Sequence, residues 1–560
     1  MNTEKELTGY PSVDKPWLKY YEGRKGKPVD VNKSIYRNFV DTASDNTDEL
    51  AYIDYLTGDN KTYSDMLNEV DLFASALYAV GINHTSTVGL LTLNSCVDPI
   101  VWLAANKIGA LTKFIDLDLN TSGLSESVSR VDILVIEDAF CELEPLINTH
   151  NIKTIIYGSN FNTSRENCIP YPDFLKQGDS INAVIDHNDS NKPSVIIYSS
   201  GSTGAAKPIV HSNKTIMYAI EKMMFSDFPI NRENILVKSI PSHIGLGCIT
   251  SMMTSILSGS TFINIKGLTY TVNALADMVI SFLKGYPEWI KKYDKIAGKG
   301  ILIFASPFFA KGILDNLNDI ESLSMIKGML YGGSKLDKDI LETMNAAFAE
   351  KGYTLPICNG YGQNEMAGAV ALNTVHYTKN GSAGYPTYNT QIKIVDRDTL
   401  EELPYNEVGL IIEKSDSMFL YYDGMPEKTL KSRIILNDGS EWFNSTDLGY
   451  IDQDGFVYIT GRTTRTVIRN DYKVSLENIE DKLKSTDLVS DVAVIPTNNG
   501  KNLIAFICRK DKCGNNDVII KQANLSELET ITKVIILETI PYMNNGKIDY
   551  QALEKMANEL

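Results

Sequence analysis

Short runs rich in Ile and Val recur through the first two thirds of the chain: VGLLTL (88–93), VDILVI (131–136), TIIYG (154–158), SVIIYSS (194–200) and ILIFAS (301–306). They are apolar on both faces, which suits strands buried inside a parallel sheet. Longer amphipathic stretches such as YSDMLNEVDLFASALYAVG (63–81) separate them, so repeated βαβ units are predicted. Ser64 is placed to cap that helix and Gly81 to close it. From about Ser382 the texture changes. QIKIVDRDTLEELPYNEVGLIIEK (391–414) reads as two strands around a polar turn, and GFVYITGR (455–462) as another. A compact antiparallel unit is expected there. The main boundary is placed just after Arg462. A smaller α+β piece follows, with a helix near 475–485 and strands at 491–495 and 503–508.

A chain of 560 residues exceeds one compact core, so several structural units are required. The formal net charge of −17 repels nucleic-acid backbones and anionic lipid, so neither is an expected partner. The apolar region 88–115 is interrupted by Asn94, Asp98, Asn106 and Lys107 and cannot span a bilayer as one helix. The N-terminus has no apolar segment of the secretory kind. The seven cysteines are scattered, without a CxxC pair, which predicts buried free thiols and a cytoplasmic location.

One stretch carries chemistry. YSSGSTGAAKPI (198–209) directly follows an apolar run. Gly201 and Gly204 let the backbone curl toward a ligand. Ser199, Ser200, Ser202 and Thr203 supply hydroxyl and amide donors, and Lys207 a positive charge. Together they form an anion cradle. A Walker A loop is excluded, because Ala206 precedes Lys207 and Pro208 follows it.

This loop resembles the signature of the adenylate-forming superfamily, which includes acyl-CoA synthetases, peptide-synthetase adenylation domains and firefly luciferases. Ala206 and Pro208 depart from its usual Pro and Gly. Further stations follow in the superfamily's order. SIPSHIG (239–245) resembles the element that borders the carboxylate pocket, and places His243 in its wall. MLYGGSKLD (329–337) resembles the turn against which adenine packs, giving Gly332, Gly333 and Ser334, with Tyr331 shaping the acyl pocket. NGYGQNEM (359–366) resembles the motif in which a Tyr stacks on adenine, a Thr binds phosphate and a Glu holds magnesium. Carried over, Asn359, Gly360, Tyr361 and Gly362 line the nucleotide, Asn364 stands in for the Thr, and Glu365 is the metal ligand. EWFNSTDLGYID (441–452) resembles the ribose station. Asp447 would accept from both ribose hydroxyls, with Thr446 where a Gly is usual. Arg462 would lie near ribose and phosphates, and the hinge position falls on Thr464. Ile468 and Asp471 replace a usual Lys and Gly, which bears on thioester formation. IPYMNNGKIDYQAL (540–553) resembles the motif of the catalytic lysine, here Lys547.

The resemblance covers nearly the whole chain and implies an α/β architecture. Its large N-terminal domain (1–462) would hold two βα subdomains with mostly parallel sheets (about 1–190 and 191–380) and a small antiparallel β-barrel (381–461). A small mobile α+β domain (463–560) would carry Lys547. It also implies an acid–thiol ligase that forms an acyl-AMP from ATP, with Mg²⁺, and passes the acyl group to CoA or phosphopantetheine. The partners implied are a small carboxylic acid and CoA or a discrete acyl carrier protein; no fused carrier domain is expected. No acidic residue stands beside His243 in the sequence, so an aryl or fatty acid is favoured over an amino acid. The alternatives are a stand-alone amino-acid adenylation enzyme, a non-catalytic nucleotide-binding homologue, and a light-emitting oxidative enzyme.

Overall fold

The computed structural model describes residues 7–23, 29–116, 121–143, 152–158, 167–179, 186–199, 206–266, 272–333, 338–469, 472–486, 488–498, 500–510, 516–543 and 547–559. Two large sheets dominate. One runs, edge to edge, through Tyr385–Pro386, Gly368–Leu372, Ile357–Gln363, Ile326–Gly332, Gly300–Ala305, Asn234–Lys238, Thr261–Asn264, Leu50–Asp54 and Asn60–Thr62. Its six central strands, Ile357–Gln363 through Leu50–Asp54 in that order, pair parallel. The other runs through Tyr421–Tyr422, Pro208–Ser212, Pro193–Tyr198, Leu111–Phe114, Thr87–Leu91, Ile133–Glu137, Lys153–Tyr157 and Cys168–Pro170. Each apolar run of the sequence falls on one of these strands.

The strands bury both faces. Ile235, Val237, Ile301 and Ile303 join one apolar cluster with the helices Val272–Trp289 and Pro307–Asp315. The alternate residues Leu236, Leu302 and Phe304 join another. The large sheets exchange strands across residue 190 in both directions, since Leu50–Asp54 pairs with Thr261–Asn264, and Leu111–Phe114 with Pro193–Tyr198. The helix in 63–81 spans Tyr63–Ala79, and its cap is Thr62 rather than Ser64. Thr62 accepts from the Asp65 N–H while Asp65 accepts from the Thr62 N–H, a reciprocal pair that Ser64, already inside the first turn, cannot make.

Downstream, Thr390–Val395, Gly409–Ser415, Glu441–Ile451, Arg433–Ile435 and Val457–Arg462 form an antiparallel sheet whose described strands pair as an open ladder. After Arg462 come the hairpin Thr466–Arg469 and Tyr472–Ser475, the helix Leu476–Lys484 capped by Ser475, and a sheet of Val489–Thr497, Asn502–Arg509 and Lys533–Leu537. Among the described residues, no helix is long and apolar enough to cross a membrane.

Candidate active site

Several predicted residues converge where parallel strands end, the edge at which open α/β sheets present ligand-binding groups. Of the anion cradle, Ser200, Gly201, Ser202, Thr203 and Gly204 lie outside the described residues, as do Ser334 and Asp471. The cradle's two ends are described. Pro193–Tyr198 and Pro208–Ser212 pair antiparallel, which brings Ser199 beside Lys207. Ser199 N–H donates to the Lys207 carbonyl at 3.0 Å. Lys207 N–H donates to Ser199 Oγ at 3.0 Å. Lys207 Nζ then reaches 3.3 Å from Glu365 Oε1 and 3.1 Å from the Tyr422 hydroxyl. Tyr422 donates to the same Glu365 oxygen at 2.7 Å, and Lys207 lies 4.6 Å from the Tyr422 ring centroid. Tyr422 was not singled out from sequence, although it stands in a stretch, 417–429, that also fits the superfamily's pattern.

Glu365 is buried and held by these two groups. Its oxygen chemistry suits a hard cation that takes one carboxylate and fills the rest of its shell with phosphate oxygens and water. Among the described residues, no three His, Cys, Asp or Glu side chains gather into a metal cage.

The residues predicted for adenine and ribose come from two sheets: Gly332 and Tyr361 from neighbouring strands of the nine-stranded sheet, Asp447 and Arg462 from neighbouring strands of the antiparallel one. Gly332 pairs with Gly360 in register, and Gly333 has φ +93°, a left-handed turn that favours glycine. Gly362 has a different reason: a Cβ there would lie 2.0 Å from the Gly368 carbonyl oxygen. Asn359 is anchored by its amide, donating to the Ser382 carbonyl at 2.8 Å and accepting from Asn373. The Tyr361 hydroxyl lies 2.6 Å from Asp447 Oδ2, and Arg462 Nε 2.9 Å from Asp447 Oδ1. Asp447 in turn is the leading cause that holds the Arg462 guanidinium above its usual range. Thr446, where the resemblance has a usual Gly, adopts φ +63°, a left-handed conformation that glycine takes more readily.

Asn364 does more fastening than its phosphate assignment implies. Its amide nitrogen donates to the Tyr198 carbonyl and its oxygen accepts from Gly245 N–H at 3.0 Å. It thereby ties the end of the strand Pro193–Tyr198 to the loop carrying His243. That loop is also held from below: Lys238 Nζ donates to Ser242 Oγ at 3.0 Å, Ser242 donates to Asp98 Oδ2, and Thr92 donates to Asp98 Oδ1 at 2.6 Å.

The structure corrects one expectation. An acidic residue does stand beside His243: Asp116 Oδ1 is 3.4 Å from its Nε2, and both side chains are buried. Asp116 arrives just after the strand Leu111–Phe114, too far along the chain for a reading of neighbours to find. Tyr331 is buried in the apolar cluster with Ile303, Ala305 and Phe309, where burial pushes its hydroxyl up.

Lys547 completes the group. It belongs to the C-terminal piece, and Asn544, Asn545 and Gly546 before it lie outside the described residues. Its carbonyl accepts from Met543 N–H at 2.8 Å. Burial pulls its ammonium down to about 8; Arg462 adds to the fall, while Asp447 and Glu365 oppose it. Lys547 is thus within electrostatic reach of Arg462, Asp447 and Glu365. At the junction, Thr463–Arg465 form a tight turn in which Thr464 is exposed and Arg465 is buried against Glu480 and the Val494 carbonyl.

Comparison with known proteins bears on the family and the fold. Probable CoA ligase CCL5 of Humulus lupulus is 25% identical over 557 residues, with 96% of each chain covered. The 4-coumarate--CoA ligase-like 3 of Arabidopsis thaliana is 27% identical, with 90% of each covered. Among solved structures, ATP-bound MatB from Rhodopseudomonas palustris superposes with a TM-score of 0.77 at 19% identity, covering 94% of this chain and 99% of that one. The anthranilate CoA ligase AuaEII in complex with anthranoyl-AMP gives 0.78 at 18% identity, covering 94% and 98%. The family model described as AMP-binding enzyme matches residues 39–423, and the chain belongs to that family, the adenylate-forming superfamily.

Proposed function

We propose that this enzyme activates a small carboxylic acid as its acyl-AMP, releasing pyrophosphate, and then transfers the acyl group to the thiol of CoA. The observation that carries the reading is Lys547, which reaches from the C-terminal piece into the field of Glu365, Asp447 and Arg462. A pure nucleotide binder has no need of that distant ammonium.

The acid's carboxylate attacks the α-phosphorus of ATP in line, and the bond to the pyrophosphate oxygen breaks. Position and charge neutralisation carry such a step. Lys547 balances charge on the α-phosphate and acyl oxygens. Lys207 and the cradle hold the outer phosphates, Asp447 holds the ribose diol, and Tyr361 and the Gly332–Gly333 turn bracket adenine. Mg²⁺ bound to ATP and Glu365 would neutralise the pyrophosphate leaving group. Hinging at Thr464 would then withdraw Lys547 and admit the thiol.

The relatives named above as CoA ligases support CoA as acceptor; an acyl carrier protein is the other candidate. The names 4-coumarate--CoA ligase-like 3 and anthranilate CoA ligase point to aryl acids. Asp116 beside His243 favours a second reading, an acid bearing an amino group, as in the anthranoyl ligand of one structural neighbour. Cys96, Cys248, Cys358 and Cys508 are buried free thiols, which supports a reducing, cytoplasmic setting.

An ATP–pyrophosphate exchange screen across aryl, fatty, aminoaryl and amino acids tests this. Exchange is expected with an aryl or aminoaryl acid, followed by thioester formation on adding CoA. Absence of exchange with every class rejects the ligase reading. Asp447→Asn, which keeps the side chain's shape but loses its charge, is expected to raise the ATP KM about tenfold or more in the same assay.

A further inference from the structure

We propose that Glu413 is a positioning residue for nucleotide binding: through the Tyr361 hydroxyl it holds the Asp447 carboxylate in place for the ribose diol. This rests on the nucleotide reading of Asp447 and adds a residue that no motif marks. Glu413 lies in the strand Gly409–Ser415, fully buried, where its ladder partners are Ile392 and Phe443.

The geometry forces a choice of proton. The Tyr361 hydroxyl lies 2.8 Å from Glu413 Oε1 and 2.6 Å from Asp447 Oδ2, and it accepts from Gln363 Nε2 at 2.9 Å. A tyrosine has one hydroxyl hydrogen and cannot donate to two carboxylates at once. One carboxyl group must bring its own proton. Asp447 has the Arg462 guanidinium on one oxygen and the Gln363 amide, 3.2 Å away, on the other, so it is the ionised member. Glu413 is therefore the protonated one. It donates to Tyr361, and Tyr361 donates to Asp447. Glu413 Oε2 and Asp447 Oδ1 are both buried without a hydrogen-bond partner, but Asp447 Oδ1 has Arg462 Nε 2.9 Å away, which offsets the cost of an anion there.

The charged and titratable groups around Glu413 fit this assignment. They are Tyr361 and Glu365 from the strand Ile357–Gln363 and the turn after it, Asp447 from Glu441–Ile451, and Lys222 from the helix Asn213–Met224. Lys222 donates to Ser417 Oγ and is itself pulled down to about 7 by burial. Burial, seconded by Asp447 and Glu365, pushes Glu413 up to about 8 against the opposing pull of Tyr361 and Lys222. Below that pH the chain of donors is intact. Above it Glu413 ionises, competes for the Tyr361 hydrogen and repels Asp447, and the ribose site loses its alignment.

The probe is adenosine, which has no group titrating in this range. Its binding to the full-length Lys547→Ala protein is measured by calorimetry from about pH 7 to about pH 9.5; that background removes the Lys547 ammonium, which titrates near 8 within electrostatic reach of Asp447. The Kd is expected to rise about tenfold across this span. It should stay within about twofold in Glu413→Gln, whose amide still donates to Tyr361, and in Tyr361→Phe, which severs the link. 2′-Deoxyadenosine, lacking one hydroxyl of the diol, should show less of the rise. A flat profile with Glu413 intact, or an undiminished rise in either variant, overturns the proposal. Absence of adenosine binding at every pH overturns the nucleotide reading of the site as well, so the two failures are told apart.

Discussion

Lys547→Ala is expected to lower ATP–pyrophosphate exchange by about 10²–10³-fold, the usual cost of removing one preorganised charge from a transition state. ATP affinity should change by no more than about twofold, because Lys207, Asp447 and the glycine turns remain. The contrast is diagnostic. A lysine that merely packed the two lobes together would weaken ATP binding and catalysis in parallel. Equal exchange in variant and parent would remove Lys547 from the mechanism. The pH dependence supplies a second readout. The active form is the ammonium, and burial and Arg462 bring its pKa down to about 8. The positive charge is therefore complete below that value and is lost as pH rises through it. Exchange at saturating ATP should fall along this limb in the parent, and the limb should be missing from the small residual activity of Lys547→Ala.

Asp98→Ala carries the largest expected effect on stability, a loss of about 3–5 kcal/mol measured by urea denaturation. Asp98, Ser242 and Lys238 form a chain of buried polar groups with essentially no exposed surface. Burial raises the Asp98 pKa and lowers that of Lys238 to about 8; each partner offsets part of the other's penalty. Deleting the carboxylate leaves the Lys238 ammonium in the core, hydrogen-bonded to the Ser242 hydroxyl but without its leading counter-charge. The paired replacement Asp98→Leu with Lys238→Met removes both charges and should recover most of the loss, since apolar groups of similar volume often replace a buried ion pair without penalty. A paired variant as unstable as Asp98→Ala would show that the site needs polarity rather than balance. Because the same chain seats the loop carrying His243, the acid KM is expected to rise in the single variant before global unfolding is seen.

The layout of strands was legible in the sequence because parallel interior strands must be apolar on both faces, and few other elements are. The glycine at 333 and the turns near it were legible for a related reason: a left-handed backbone leaves few residue choices. What escaped were meetings between distant segments. Asp116 is 127 positions from His243, and no local periodicity links them. Glu413 sits in a strand that reads as one more apolar run with polar residues at its end, and only the fold reveals that its carboxyl faces Tyr361. Asn364 reads as a conservative stand-in for a phosphate ligand. Its two contacts, to Tyr198 and Gly245, show an amide bridging two loops, a job for which both a donor and an acceptor are required. Ser64 lost the capping role to Thr62 because capping depends on a reciprocal partner three residues on, which only Thr62 possesses.

The interleaving of the two large sheets has a consequence for biosynthesis. Neither sheet can close early as the chain leaves the ribosome: one waits for its edge strand Tyr385–Pro386, and the other for Tyr421–Tyr422, which pairs with Pro208–Ser212. Leu50–Asp54, made near the start, waits for Thr261–Asn264. Hydrogen-bonding edges therefore stay open through most of translation, which makes the nascent polypeptide a natural client of holding chaperones and a poor candidate for expression in halves.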